Sequence, residues 1–291
     1  MDVEISASDS LTILVSAPGA ESPGLYRWKS ADAAPVKICD IAAPAFFSFN
    51  RRTVIERVRG EINTLRLYDA TDCALTGQIE IKGRVIDADV RESRVAIAVQ
   101  YPGEEPALEL YTLQGKRIAT TVVGRNVELG FAPDGKSILN FDLSDATHAM
   151  WQVRSLAPVA SSRWMNTGEL TFIPGSKYVK QYAQGALSIV QWSTGKPRYV
   201  TAALRTVRVR QLSRDGQYGV IHERLPQGDR VAWIDFATGV RVLLGEGSVD
   251  HAAINANGSR VAWSVRGGAA ADEVTLKRAT VNPNGIVSEQ H

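Results

Sequence analysis

The sequence predicts an all-β chain of seven four-stranded antiparallel units, and three observations predict it. A polar turn between two short apolar runs recurs in ISASDSLTIL, FSFNRRTVI, ADVRESRVAI, FAPDGKSIL, FIPGSKYV, LSRDGQYGVI and INANGSRVAW. With Asp9, Arg51, Glu92, Asp134, Gly175, Asp215 and Asn257 as marks, the intervals by subtraction are 42, 41, 42, 41, 40 and 42 residues. Each repeat then carries four apolar segments, and no linker or charge block interrupts the series. A period of about 40–45 residues with this pattern is the signature of a β-propeller blade. The expectation is a single seven-bladed β-propeller domain over residues 1–291. Its blades fall at about 2–42, 43–82, 83–124, 125–165, 166–204, 205–247 and 248–291.

The strands of a blade, named A to D from the axis outward, are legible one by one. In the fourth repeat they read NVELGFA, SILNFDL, HAMWQV and APVAS, and in the sixth TVRVRQL, YGVIHERL, RVAWIDF and RVLLG. Val, Ile, Leu and aromatics alternate with polar residues, as pleated strands require. The A–B connection is a tight hairpin of the DG or NG kind, because Gly and Asn accept positive φ. The C–D connections SAD, DATD, LQGK, STGK and FATG are equally short. Strand C carries an aromatic at a recurring place: Trp28, Tyr68, Tyr111, Trp151, Trp192 and Phe236. Packing between adjacent blades accounts for these rings. Several B–C loops are longer, namely SAPGAESPG, QYPGEEPA, DLSDATHA, RLPQGD and RGGAAADE. Variable loops on a rigid scaffold are where contacts are made, so this end is the expected contact face. The last repeat supplies its own fourth strand from IVSEQ, so closure is expected from face packing of blades one and seven rather than from strand exchange.

Bulk properties narrow the function. The net charge is +2 and 44% of residues are hydrophobic. A nucleic-acid or membrane-surface field is therefore not expected. No run of about 18 apolar residues is present, so membrane insertion is not expected. MDVEISASDS has neither a basic nor an apolar leader region, which reads as cytoplasmic, or periplasmic where a leader has been removed. Arg outnumbers Lys 24 to 9 and Ala is abundant, from which a GC-rich bacterial coding bias is expected. The two cysteines, Cys39 and Cys73, are expected on the outermost strands of neighbouring blades. Two cysteines make no disulfide framework, so two free thiols are expected, with a single bridge as the alternative.

At the level of repeats the chain resembles a known family. FAPDGKS and LSRDGQY, each followed by a hydrophobic strand and then an aromatic strand ending WSTGK or FATGV, are similar to WD40-type and TolB-type propeller repeats. The resemblance covers the whole chain. The Trp-Asp dipeptide of WD40 repeats is absent, the nearest being Tyr68-Asp69, and only Asp250-His251 stands near the place of the Gly-His pair. The family's buried His–Ser/Thr–Asp–Trp network is thus carried over to no residue here. The resemblance implies a divergent member acting as an interaction platform.

Candidate chemistry is sparse. Gly130–Ser137, GFAPDGKS, matches G-x-x-x-x-G-K-[ST] letter for letter. A phosphate loop needs a helix to follow, whereas SILNFDL is a β segment, so a hairpin is expected. Arg208 and Arg210 alternate with valines on strand A of blade six, and Asp87 and Asp89 lie on strand A of blade three. Matching the turns sets Arg210 level with Asp87, and a charge-lined channel would take an anionic ligand at the Arg side. The plain alternative is that inner strands border water and carry charge for that reason alone. Glu128, Glu169 and His251 share one aligned place near the start of strand A, a weak candidate set for a divalent cation. No metal and no cofactor is expected.

The four histidines, His148, His222, His251 and His291, suggest no nucleophile–base pair, and no GxSxG, HExxH or CxxC motif occurs. His222 and Glu223 are successive strand residues and face opposite ways. Arg163, Trp164 and Met165, on a D–A loop, are residue types enriched at interface anchors. The expected function is a non-catalytic protein–protein interaction scaffold or subunit of a larger assembly, docking partners on the B–C/D–A face. The alternative is a small-ligand-binding or lyase/lactonase-type propeller using its axial channel. A third reading is the propeller cap of a prolyl-oligopeptidase-like hydrolase.

Overall fold

A computed structural model describes residues 2–5, 10–15, 22–29, 34–42, 44–48, 51–125, 127–132, 134–142, 147–159, 169–172, 177–183, 186–201, 207–226, 228–266 and 274–290. Among these residues there is no helix, and every regular element is a strand. The first sheet has the order β1 (Asp2–Ile5), β2 (Ser10–Val15), β3 (Gly24–Lys29), β4 (Val36–Cys39). The second is β5 (Ala45–Phe47), β6 (Thr53–Val58), β7 (Asn63–Asp69), β8 (Leu75–Ile81), and the third β9 (Arg84–Arg91), β10 (Arg94–Gln100), β11 (Ala107–Thr112), β12 (Arg117–Val122). The fourth is β13 (Val127–Phe131), β14 (Ser137–Asp142), β15 (Thr147–Gln152), β16 (Pro158–Val159), and the fifth β17 (Glu169–Phe172), β18 (Tyr178–Ala183), β19 (Ala186–Gln191), β20 (Pro197–Thr201). The sixth is β21 (Val207–Leu212), β22 (Tyr218–Leu225), β23 (Gly228–Asp235), β24 (Arg241–Glu246), and the seventh β25 (Ser248–Ile254), β26 (Arg260–Arg266), β27 (Val274–Asn282), β28 (Gly285–Gln290). Seven consecutive four-stranded meanders are the seven blades of a β-propeller, as the repeat predicts.

The first hairpins of four blades are built to one plan. In these the N–H of Ser48, Ala132, Ser213 and Asn255 donates to the carbonyl of Thr53, Ser137, Tyr218 and Arg260. The N–H of Arg51, Gly135, Gly216 and Gly258 then donates back to the same four residues' carbonyls. Those closing residues have φ of 61°, 67°, 72° and 78°, the left-handed region that glycine enters without penalty. The Walker-like GFAPDGKS is one of these hairpins, with Gly130 in β13 and Ser137 opening β14. The turn of the third blade is shorter, residues 92–93, with Glu92 at φ 53°.

The second recurring turn joins the outer two strands. The N–H of Cys73, Leu156, Gly195 and Gly239 donates to the carbonyl of Asp69, Gln152, Gln191 and Asp235, and again φ is positive, at 63°, 53°, 67° and 76°. This turn splits the third-strand aromatics into two registers. Tyr68, Tyr111 and Trp151 come one residue before the residue whose carbonyl accepts in this turn, and Trp192 and Phe236 one residue after it. Places two apart face the same side of a strand, so a two-residue shift leaves the rings on one face.

Two compact units make up the chain: Met1–Ile13, Tyr26–Lys37 and Ser176–His291 in one, Leu14–Leu25 and Ile38–Gly175 in the other. In the first, Trp233 and Trp263 centre a core with Val220, Val231, Val249, Val261 and Val281. Here the first and last blades meet by face packing: β1 lies against β25 and β26. Arg278 of β27 stacks on the Trp28 ring at 4.0 Å and donates to the carbonyls of Trp28 at 3.2 Å and Lys29 at 2.8 Å. No strand is exchanged between these two sheets. In the second unit, one cluster packs Ile55, Leu65 and Leu67 against Val90, Val95 and Ile97, and another packs Leu108 and Leu110 against Leu129, Phe131 and Ile138.

In that second unit Cys39 and Cys73 form a disulfide, with Cα atoms 6.4 Å apart. The expectation of two free thiols is corrected. The left-handed turn holding Cys73 lies beside the end of β4, a proximity that spacing along the sequence does not reveal.

Candidate functional site

The inner strand of the sixth blade carries two arginines, Arg208 and Arg210. A bulge between Val209 and Gln211 makes Arg210 the extra residue of β21, and bulges re-aim side chains. Arg210 Nη2 lies 3.3 Å from His222 Nδ1. A guanidinium only donates, so Nδ1 accepts and a neutral ring carries its proton on Nε2. That Nε2 lies 3.0 Å from Asp229 Oδ2, yet it is off-line for a hydrogen bond. The contact is therefore an electrostatic pairing. His222 is 3% exposed, so Asp229, His222 and Arg210 form a half-buried chain of fixed geometry. Glu223, the next residue, turns the other way and pairs with Arg241, as alternation requires.

Register corrects one detail of the expected channel. Matching the turns put Arg210 level with Asp87. In the sheets Asp87 pairs with Ala98, Glu128 with Phe141 and Arg208 with His222, so Arg208 holds the place of Asp87. The two-residue turn at 92–93 and the bulge at Arg210 together account for the offset. The Arg208 side chain lies outside the described residues.

Asp87 and Asp89 are engaged in holding the next blade. The N–H of Leu129 donates to Asp87 Oδ2 and that of Phe131 to Asp89 Oδ2, both at 2.8 Å and both one repeat of 42 residues further on. The second Asp89 oxygen accepts the N–H of Val90 at 2.8 Å, and the residue is 2% exposed. Burial pushes the Asp87 carboxyl above the usual range, while the N–H groups of Leu129 and Ala88 and the Arg57 guanidinium pull it back. Arg57 lies 3.9 Å from Asp87, donates to the Ile86 carbonyl at 3.3 Å and stacks on Phe46 at 4.6 Å. Burial holds its pKa below the ordinary value, and its Nε has no hydrogen-bond partner among the described residues.

A recurring place on the second strand, polar in four of the five blades named below, escapes the sequence reading. The carbonyls of Arg52, Lys136, Lys177, Gln217 and Ser259 accept the N–H of Ala70, Val153, Trp192, Phe236 and Val281, at or near the end of the third strand. Five positions later (52 to 57, and so on) stand Arg57, Phe141, Tyr182, His222 and Ser264. Four of these reach an inner strand. Arg57 bonds Ile86, Tyr182 Oη accepts from Val209 N–H at 3.3 Å, Ser264 Oγ accepts from His251 N–H at 3.1 Å, and His222 meets Arg210. No residue type is shared, so periodicity of composition gives no signal.

Two buried carboxylates were also missed. Glu56, 3% exposed, accepts from the Ala42 N–H at 2.8 Å and the Tyr68 hydroxyl at 2.9 Å, with Arg66 at 3.6 Å. Glu109, 1% exposed, accepts from the Tyr101 and Tyr111 hydroxyls and from Arg117 at 2.6 Å. Burial, then the hydrogen bond to Glu109, pushes the Tyr111 phenol far above its usual range. Tyrosines held this firmly protonated serve as donors, and both clusters read as internal bracing.

The remaining candidates are placed only in part. Among the described residues no three His, Cys, Asp or Glu side chains gather as metal ligands, and the Glu169 side chain lies outside that set. Arg163, Trp164 and Met165 also lie outside the described residues. No helix among the described residues is long and apolar enough to cross a membrane.

No protein-family model matches the chain. No curated protein matches it in sequence. Among solved structures it is similar to a chain from the crystal structure of the mitotic checkpoint complex, with 12% identity, TM-score 0.60, and coverage of 96% of this chain and 89% of that one. A chain from the crystal structure of the eukaryotic initiation factor aligns at 9% identity, TM-score 0.49, covering 99% of this chain and 77% of that one. With the sheet order described above, the first of these similarities places the chain in the WD40-like seven-bladed β-propeller fold.

Proposed function

We propose that the chain is a non-catalytic interaction module, a scaffold or subunit of a larger assembly, docking partner proteins on its B–C and D–A connections. The supporting observation is that the B–C connections vary more in length from blade to blade than the A–B turns do. The A–B turns among the described residues run from two residues, 92–93, to five, such as 213–217. The B–C connections range from residues 16–23 and 101–106 down to 226–227. RLPQGD, expected as a long loop, leaves only residues 226–227 between strands, because β22 and β23 run on through it. Uniform turns close a scaffold and varied ones carry its contacts. The similar chain from the mitotic checkpoint complex belongs to a protein assembly by its description, which agrees with the reading.

Arg163, Trp164 and Met165 are the proposed anchors. The test is purification of the tagged chain from its own host at native level, with mass spectrometry of what accompanies it in stoichiometric amount. Loss of that companion on Trp164→Ala supports the assignment, and binding kept within twofold removes it.

A second reading has one observation in its favour, the bulge and His222–Asp229 pair that fix Arg210. It makes the inner strand of the sixth blade a site for a small carboxylate or phosphate. A thermal-shift series with such anions checks it. No shift, or an equal shift in Arg208→Ala/Arg210→Ala, rejects it.

A further inference from the structure

The strongest unassigned feature outside the docking reading is the pairing of the only two cysteines. Cys39 ends β4, the short outer strand of the first blade, exposed at Val36 and half-buried along the rest. Cys73 closes the outer turn of the second blade. We infer that Cys39–Cys73 is a permanent structural staple made by thiol–disulfide exchange, and that the chain matures in an oxidising compartment rather than the cytosol.

Three lines support this. The first is the turn. The residue closing it adopts positive φ, and two of the four equivalent places are Gly195 and Gly239. An L side chain there is penalised, so a non-glycine residue is retained where its side chain is needed. Leu156, the other exception, is buried in the core at 3% exposure. At Cys73 the side chain is needed for the bond. The second line is position. A four-residue edge strand with one paired side frays readily, and the bridge pins its end to the neighbouring blade. Ile38, Cys39, Tyr68 and Cys73 pack together over the core of Leu14, Leu25 and Val54. The third is composition: the chain has two cysteines, both in the bond, so no third thiol can misdirect the pairing. Bonds of this kind persist in oxidising compartments and are rare in the cytosol.

The formation step balances with a protein disulfide as oxidant. One thiolate attacks that disulfide to give a mixed disulfide, and the second thiolate displaces it. Two S–H bonds break and one S–S bond forms in the chain. The oxidant leaves as a dithiol, having taken two electrons and two protons.

The test uses the full chain from its own host, lysed into acid and then an alkylating maleimide, with and without prior reduction. The expected result is no maleimide on Cys39 or Cys73 unless the sample is first reduced. Two adducts on the unreduced chain overturn the inference. Cys39→Ser, Cys73→Gly and the double variant are then melted beside the wild type. All three should melt about 5 °C lower than the oxidised wild type and alike to one another, since each loses one constraint of the unfolded chain. Cys73→Gly keeps the left-handed turn, which separates loss of the bond from turn damage. Variants melting with the wild type, or single losses that add in the double variant, reject a structural bond.

Discussion

The buried carboxylate of Asp89 takes the backbone N–H of Phe131 at 2.8 Å, one 42-residue repeat away. Inner strands expose N–H groups along one edge, and an unpaired buried N–H costs about 1–3 kcal/mol. Asp89→Ala should therefore lose about 2 kcal/mol in urea unfolding, with the m-value unchanged. Asp89→Asn keeps one acceptor oxygen and should fall between the two. If the alanine variant unfolds at the wild-type midpoint, Asp89 is not bracing the fourth blade.

Arg278 joins the last blade to the first through a stacked ring and two carbonyls. A guanidinium does both at once, and an ammonium on a flexible stem does not. Arg278→Lys is expected to lose about 1–2 kcal/mol, close to the loss in Arg278→Met. Recovery of wild-type stability by lysine would reduce the contact to charge alone.

The hairpins show which features the sequence carries openly. FAPDGKS, LSRDGQY and INANGSR hold Gly135, Gly216 and Gly258 where φ is positive, so turn chemistry alone located those blades. FSFNRRT hides the same turn, because Arg51 takes the glycine's place at φ 61°. The strand alternation, the shared aromatic face and the closure without strand exchange were legible for the same reason: each is local chemistry repeated. What was not legible depends on register or on contact across blades. The bulge at Arg210 moved Arg208 into the expected level, Asp87 and Asp89 proved to be tied to backbone one repeat away, and the cysteines met through a turn. A reading strand by strand sees which residues are polar and not which atom of the next blade they answer.

Glu92 and Leu156 share a φ of 53° and should respond oppositely to glycine. Glu92 is exposed in a two-residue turn, so Glu92→Gly relieves the left-handed strain and should gain about 0.5–1 kcal/mol. Leu156 is 3% exposed within the core of the fourth blade. Leu156→Gly should lose at least about 2 kcal/mol, since the lost burial and the cavity exceed the strain relieved. Thermal melts of the two variants suffice, and a shift of the same sign in both would remove the argument.

His148 predicts how the fold meets acid. Its ring packs on Phe141 at 4.6 Å, its Nε2 is buried without a hydrogen-bond partner among the described residues, and burial holds its pKa below the ordinary imidazole value. A group with a depressed folded pKa takes up a proton more readily in the unfolded chain. Its contribution to stability is complete above the unfolded pKa and is lost as pH falls toward the folded one. The wild type should thus lose stability as pH drops below about 6.5, the usual imidazole pKa. His148→Phe keeps the ring against Phe141 and removes the titration, so its urea midpoint should fall less over the same interval, while the two proteins keep a constant offset above pH 7. Parallel curves from pH 8 to pH 5 would show that His148 is not the group that senses acid.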